Sequence, residues 1–121
     1  AFIKLAALIK DNALINDSVF GRCWQEGFAG MEMLEIRDYY NGKVLNPQTG
    51  FSYNLDYSGE LAIQIVLSDG SHLSRVTFRP SGTEPIFKIY IAVHANTESA
   101  ALEKQERLRQ EALSLIKSNL R

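Results

Sequence analysis

Leu61-Ala62-Ile63-Gln64-Ile65-Val66-Leu67, then Ser68-Asp69-Gly70-Ser71, then His72-Leu73-Ser74-Arg75-Val76-Thr77-Phe78, is the stretch on which the fold turns. The first run is β-rich and nearly all apolar, which suits a central strand of a sheet. Asp69-Gly70 is a two-residue hairpin signal, because glycine takes the positive φ that such a turn demands. The second run returns antiparallel, with Leu73, Val76 and Phe78 as its apolar anchors. Beyond it lies Arg79-Pro80-Ser81-Gly82-Thr83-Glu84-Pro85, a polar loop leading into a third β run, Ile86–Val93.

Outward from this nucleus the period changes. From Thr97 onward, Ala101, Leu108, Ala112 and Leu115, with Ile116, share one helical face against Glu103, Lys104, Glu106, Arg107 and Arg109. Thr97 or Asn96 can cap that helix, and Glu98 suits the positive end of its dipole. Glu103 and Arg107 have the spacing and order of a helical ion pair. Upstream, Met31–Tyr40 reads as a strand with Leu34, Ile36 and Asp38 opposite Glu35, Arg37 and Tyr39. Asn41-Gly42 and Asn46–Gly50 are turn signals, so Asn41–Ser58 reads as an extended excursion. Asn16–Gly30 has no clear period and reads mostly as loop. Phe2, Leu5, Ala6, Leu8 and Ile9 crowd one side of a short N-terminal helix. This order predicts an α+β domain over residues 1–121, with about four mostly antiparallel strands in one sheet and two helices on one face.

Composition narrows the function. The chain has 121 residues, 45% hydrophobic and 22% charged, as a single globular domain requires. A net charge of −1 argues against a nucleic-acid footprint or a polybasic membrane patch. One cysteine, Cys23, forms no internal disulfide, and no Cys/His pair has zinc spacing. A reducing, cytoplasmic setting is expected. No apolar run is long enough to span a bilayer.

The Arg79–Pro85 run has the chemistry of a phosphate grip. A phosphate ester offers up to two charges and three acceptor oxygens. Arg79 can meet two oxygens with one planar fork. Ser81 and Thr83 can donate from their hydroxyls. Gly82 lets the backbone approach the anion or turn its amides inward. Pro80 and Pro85 restrict the chain and lower the entropy lost on binding. Glu84 suits an anion site poorly; it can orient Arg79 or bond a sugar hydroxyl. Read without these arguments, the run is a polar turn.

The run resembles the substrate-phosphate loop of the α-D-phosphohexomutases, the phosphoglucomutase and phosphomannomutase superfamily. Asp69-Gly70-Ser71 precedes it as the family's turn does, and Phe87-Lys88-Ile89-Tyr90 follows like the end of the family strand. Ile36-Arg37-Asp38-Tyr39 is similar to a strand of the bacterial phosphoglucomutase and phosphopentomutase branch. The resemblance covers most of the chain and matches only the fourth, C-terminal domain, a mixed fold of four strands and two helices. It implies a substrate-phosphate-binding domain, with Arg79, Ser81, Gly82, Thr83, Glu84 and, more weakly, Lys88 at the phosphate. It implies a parent enzyme interconverting hexose 1-phosphate and hexose 6-phosphate through a phosphoserine and a bisphosphate intermediate. Phosphoglucomutase comes first, with phosphomannomutase, phosphopentomutase and phosphoglucosamine mutase as neighbours. Ile86 stands where the family often has lysine.

The serine loop and Asp-rich Mg²⁺ loop of the family have no counterpart here. The expectation is therefore a fragment that is inactive alone, with Mg²⁺ and the other domains elsewhere in the parent. The rival of another class is a free-standing α+β module that binds a protein or peptide. Other candidates read more plainly. His72 and His94 suit solvated strand ends, and Cys23 beside Trp24 suits a buried thiol. Tyr39, Tyr40, Tyr53 and Tyr57 suit packing better than a base-stacking platform. Asp38 and Asp56 are carboxylates near turns, with no spacing that marks an acid–base pair.

Overall fold

A computed structural model of the chain describes residues 27–80 and 87–119. Within them, β1 (Glu32–Asp38), β2 (Lys43–Leu45), β3 (Ser52–Asn54), β4 (Ile63–Ser68), β5 (Leu73–Pro80) and β6 (Phe87–Ala92) precede one helix, α1 (Glu98–Asn119). The strands form one sheet in the order β3-β2-β1-β4-β5-β6. Every pairing is antiparallel. The α+β class holds, but the sheet has six strands where about four were expected. β2 and β3 lie inside the supposed excursion. At three residues each they are too short to display a period of two. The predicted N-terminal helix lies outside the described residues, so α1 is the one helix among them.

β4 occupies the interior of the sheet, between β1 and β5. Ile63, Ile65 and Leu67 project from it to one face, where α1 covers them. Leu108, Ala112 and Leu115 of α1 close a core with Phe28, Met31, Met33, Ile36, Val76 and Phe78. Each large apolar side chain so enclosed contributes about 1.5–3 kcal/mol. Thr97 is the cap: its hydroxyl accepts from the Ala100 N–H at 3.1 Å. The Glu103–Arg107 pair does not form. Arg107 instead donates to the Ala29 carbonyl at 2.6 Å, tying the Phe28–Met31 turn to the helix. Arg109 takes Glu106 as its partner at 2.6 Å and holds that carboxyl down to about 2.

Two local departures affect side-chain direction. In β1, Met33 pairs with Leu67 and Glu35 with Val66, so Leu34 is the extra residue of a β-bulge. Met33, Ile36 and Asp38 face inward as a result, and Leu34, expected inside, is only half-buried. The β4–β5 connection is also longer than a two-residue turn, running from Asp69 to His72. The Asp69 carboxylate shapes it, accepting from the Ser71 and His72 N–H groups at 2.9 and 2.7 Å. Gly70 takes φ 96° within it. Lys104 of α1 reaches the same carboxylate at 2.5 Å and the His94 carbonyl at 2.6 Å.

Candidate functional site

Alternation along β5 turns Ser74, Val76 and Phe78 toward α1 and leaves Arg75, Thr77 and Arg79 on the face opposite α1. Arg79 and Pro80 do not begin the loop, as the sequence suggested. They are the last residues of β5, paired with Lys88 and Phe87 of β6. Arg79 and Lys88 therefore stand directly opposite each other, both exposed. Neither forms an ion pair with a described residue. Like charges directly across a ladder repel. The remaining candidates, Ser81, Gly82, Thr83 and Glu84, lie outside the described residues, as does Ile86.

The next row inward on this face is Arg37, Gln64, Thr77 and Tyr90, aligned across β1, β4, β5 and β6. Polar side chains link most of it. Tyr39 donates its hydroxyl to Gln64 Oε1 at 3.3 Å, and Gln64 Nε2 donates to Thr77 Oγ1 at 3.0 Å. At the far end, Arg37 Nε donates to Glu35 Oε1 at 3.1 Å, and Glu35 accepts from the Tyr53 hydroxyl at 3.2 Å. Partial burial pulls the Arg37 pKa down. Its hydrogen bonds to Tyr39 and Glu35, with the Glu35 charge, outweigh this and hold it above the usual range. The Tyr39 and Tyr57 rings stack at 5.9 Å and 11°. With Glu60, Gln64, Thr77, Tyr90 and Arg79 they enclose an open basin of about 360 Å³.

Sequence reading did not group Gln64, Thr77 and Tyr90, because only the register across β4, β5 and β6 brings them together; Glu60 joins them from the connection before β4. The tyrosine expectation divides. Tyr40 packs against the core and Tyr39 stacks on Tyr57, while Tyr53 and Tyr57 remain exposed. Asp38 is fully buried and occupied: it accepts from the Tyr40 and Asn41 N–H groups, each at 3.0 Å, and from the Asn41 amide at 2.7 Å. It shapes the turn after β1. Asp56 is exposed. His72 is half-buried and His94 exposed. Among the described residues no three His, Cys, Asp or Glu side chains gather as a metal site. No described helix is long and apolar enough to cross a membrane.

No family model matches the chain, and no solved structure matches it. A phosphoglucomutase of Staphylococcus saprophyticus subsp. saprophyticus is 33% identical over 78 residues. That alignment covers 64% of this chain and 12% of the relative, so the chain matches only a small part of that protein's length. The similarity supports a domain related to the phosphohexomutases.

Proposed function

We propose that this chain is the substrate-phosphate-binding domain of a phosphosugar mutase, equivalent to the C-terminal domain of the phosphohexomutases. The observation that carries this reading is the facing pair Arg79 and Lys88, exposed and without a carboxylate partner among the described residues. Two cations held opposite each other at the end of β5 and the start of β6 repel until a dianion lies between them. Arg79 would take two phosphate oxygens and Lys88 a third. Ser81 and Thr83 would donate from their hydroxyls, and Gly82 would admit the anion to the backbone. Glu84 would bond a sugar hydroxyl or orient Arg79.

The bound phosphate would be the one not being transferred. Binding energy from that remote group would position the reacting end of a hexose phosphate against a phosphoserine in another domain. Mg²⁺, held by that other part of the parent, would serve as the electrophile on the transferring group. The chain alone would not catalyse, and the parent would work in the cytoplasm. Glucose phosphates are the first choice of substrate, on the resemblance and on the relative's name. Mannose, pentose and glucosamine phosphates follow.

Phosphate titration of the chain, followed by NMR, tests the reading. Arg79 and Lys88 signals should shift and saturate, and Arg79→Ala should abolish the response while the fold persists. In the parent the same variant should lose roughly ten- to a hundredfold in kcat/KM, the range of one charge-assisted contact. Unmoved Arg79 and Lys88 signals in the wild-type chain would refute the proposal.

A further inference from the structure

We infer that the outer edge of β6 is a self-association site, where a second copy of this chain adds its own β6 antiparallel across a twofold axis and continues the sheet. The inference stands apart from the phosphate reading and does not need it.

The two edges of the sheet differ. β3, at one end, is three residues long and offers little ladder to a partner. β6, at the other, runs six residues from Phe87 to Ala92 and has β5 as its one partner among the described strands. Its register with β5 is unbroken, so no bulge turns the edge away. It contains no proline, and Lys88 is its one charge. Alternate N–H and C=O groups of such a strand point outward. No described backbone group beyond β5 pairs with those of Phe87–Ala92. Apolar surface continues past the edge. Ile89 and Ile91, on the α1 face, are half-buried, and Leu102 of α1 is 58% exposed beside them. With Gln105, Glu106 and Arg109 they line a groove of about 340 Å³. The Phe28–Met31 turn lies on the opposite flank of α1, where Arg107 holds Ala29, and leaves this groove clear.

Symmetry and charge select a second copy and its register. A twofold axis normal to the sheet keeps each face on its own side, so residues that meet must belong to the same face. Centred on Tyr90, the pairing sets Ile89 against the partner's Ile91, Lys88 against the partner's Ala92, and the two Tyr90 rings side by side. The two lysines then stand four residues apart along the strands, about 13 Å. That exceeds the roughly 8–10 Å over which exposed charges act in physiological salt. Centring on Ile89 would bring them to about 7 Å, and centring on Lys88 would oppose them directly. Glu106 and Arg109 add no barrier, since they already neutralise each other at 2.6 Å. Both α1 helices lie on one face of the joined sheet, so the two grooves face each other and close over the isoleucines and Leu102. A short ladder with two leucines makes a small interface, of the weakly associating class under about 1,200 Å².

Sedimentation equilibrium of the full chain tests this. Between about 10 µM and 1 mM the mass should grow reversibly toward that of two chains. Hydrogen exchange should show the outward β6 amides gaining protection with concentration, and the β3 amides unchanged. Leu102→Glu, at an exposed helix position, should weaken association at least tenfold without lowering the melting temperature. Phe51→Ala, which removes a 66% exposed ring beside the other edge, should leave association as it was. A monomer at every concentration would overturn the inference, including one whose β6 amides are already protected by the chain's own N-terminal segment. Association that survives Leu102→Glu, or that leaves the β6 amides unprotected, would overturn it as well.

Discussion

Arg79 stands out in the sequence because its neighbours there are a phosphate grip's chemistry, two hydroxyls and a glycine between prolines; the structure adds that it lies at the end of β5. Lys88 was faint, since nothing in one dimension says that it faces Arg79; the ladder does. Asp69 shows the opposite limit. It reads as a turn former, but its carboxylate also holds Lys104, thirty-five residues away, and no local pattern encodes that. Lys104 and the two N–H groups hold the Asp69 pKa below the ordinary carboxylate range. The folded value thus lies under the unfolded one of about 3.9. The stabilisation is full above that value and is lost as pH falls through it toward the folded value. Asp69→Asn should therefore be less stable than wild type near neutral pH. Its stability should also fall less between about pH 5 and pH 2, as denaturant titrations at each pH would show.

Elements were legible in proportion to their length and regularity. β4, β5 and β6 are long β-rich runs and α1 carries a sustained helical period, and each lies within a residue or two of its expected place. β2 and β3 do not, and only their pairing defines them. The bulge at Leu34 defeated the expected alternation in β1, because one inserted residue reverses the faces on either side of it. The turn leading into β1 depends on Gly27. Its φ is 85°, and a Cβ built there would lie 2.6 Å from the Met31 carbonyl oxygen. Gly27→Ala should cost more than about 1 kcal/mol by chemical denaturation, since both the conformation and the contact oppose a side chain. Loss of stability below a few tenths of a kcal/mol would show that the turn relaxes freely.

For the whole molecule, the division of labour is between the two faces of one sheet. The face under α1 holds the apolar core, and the other carries the cations, tyrosines and amide. Fold class followed from the hairpin and the change of period. The grouping on the opposite face did not, because it is assembled across strands from residues that look like ordinary solvent-side positions. Placing two like charges side by side has a thermodynamic consequence for that arrangement. Under the proposed function the empty protein carries an internal repulsion that a bound phosphate would relieve, so recognition and durability would be in tension at this edge. Lys88→Gln should melt slightly higher than wild type in sodium chloride, by a few tenths of a kcal/mol. In sodium phosphate of equal ionic strength the order should reverse, because only the intact pair gains from mass action on the native state. Identical melting of the two proteins in both salts would mean that the paired cations exert no such tension.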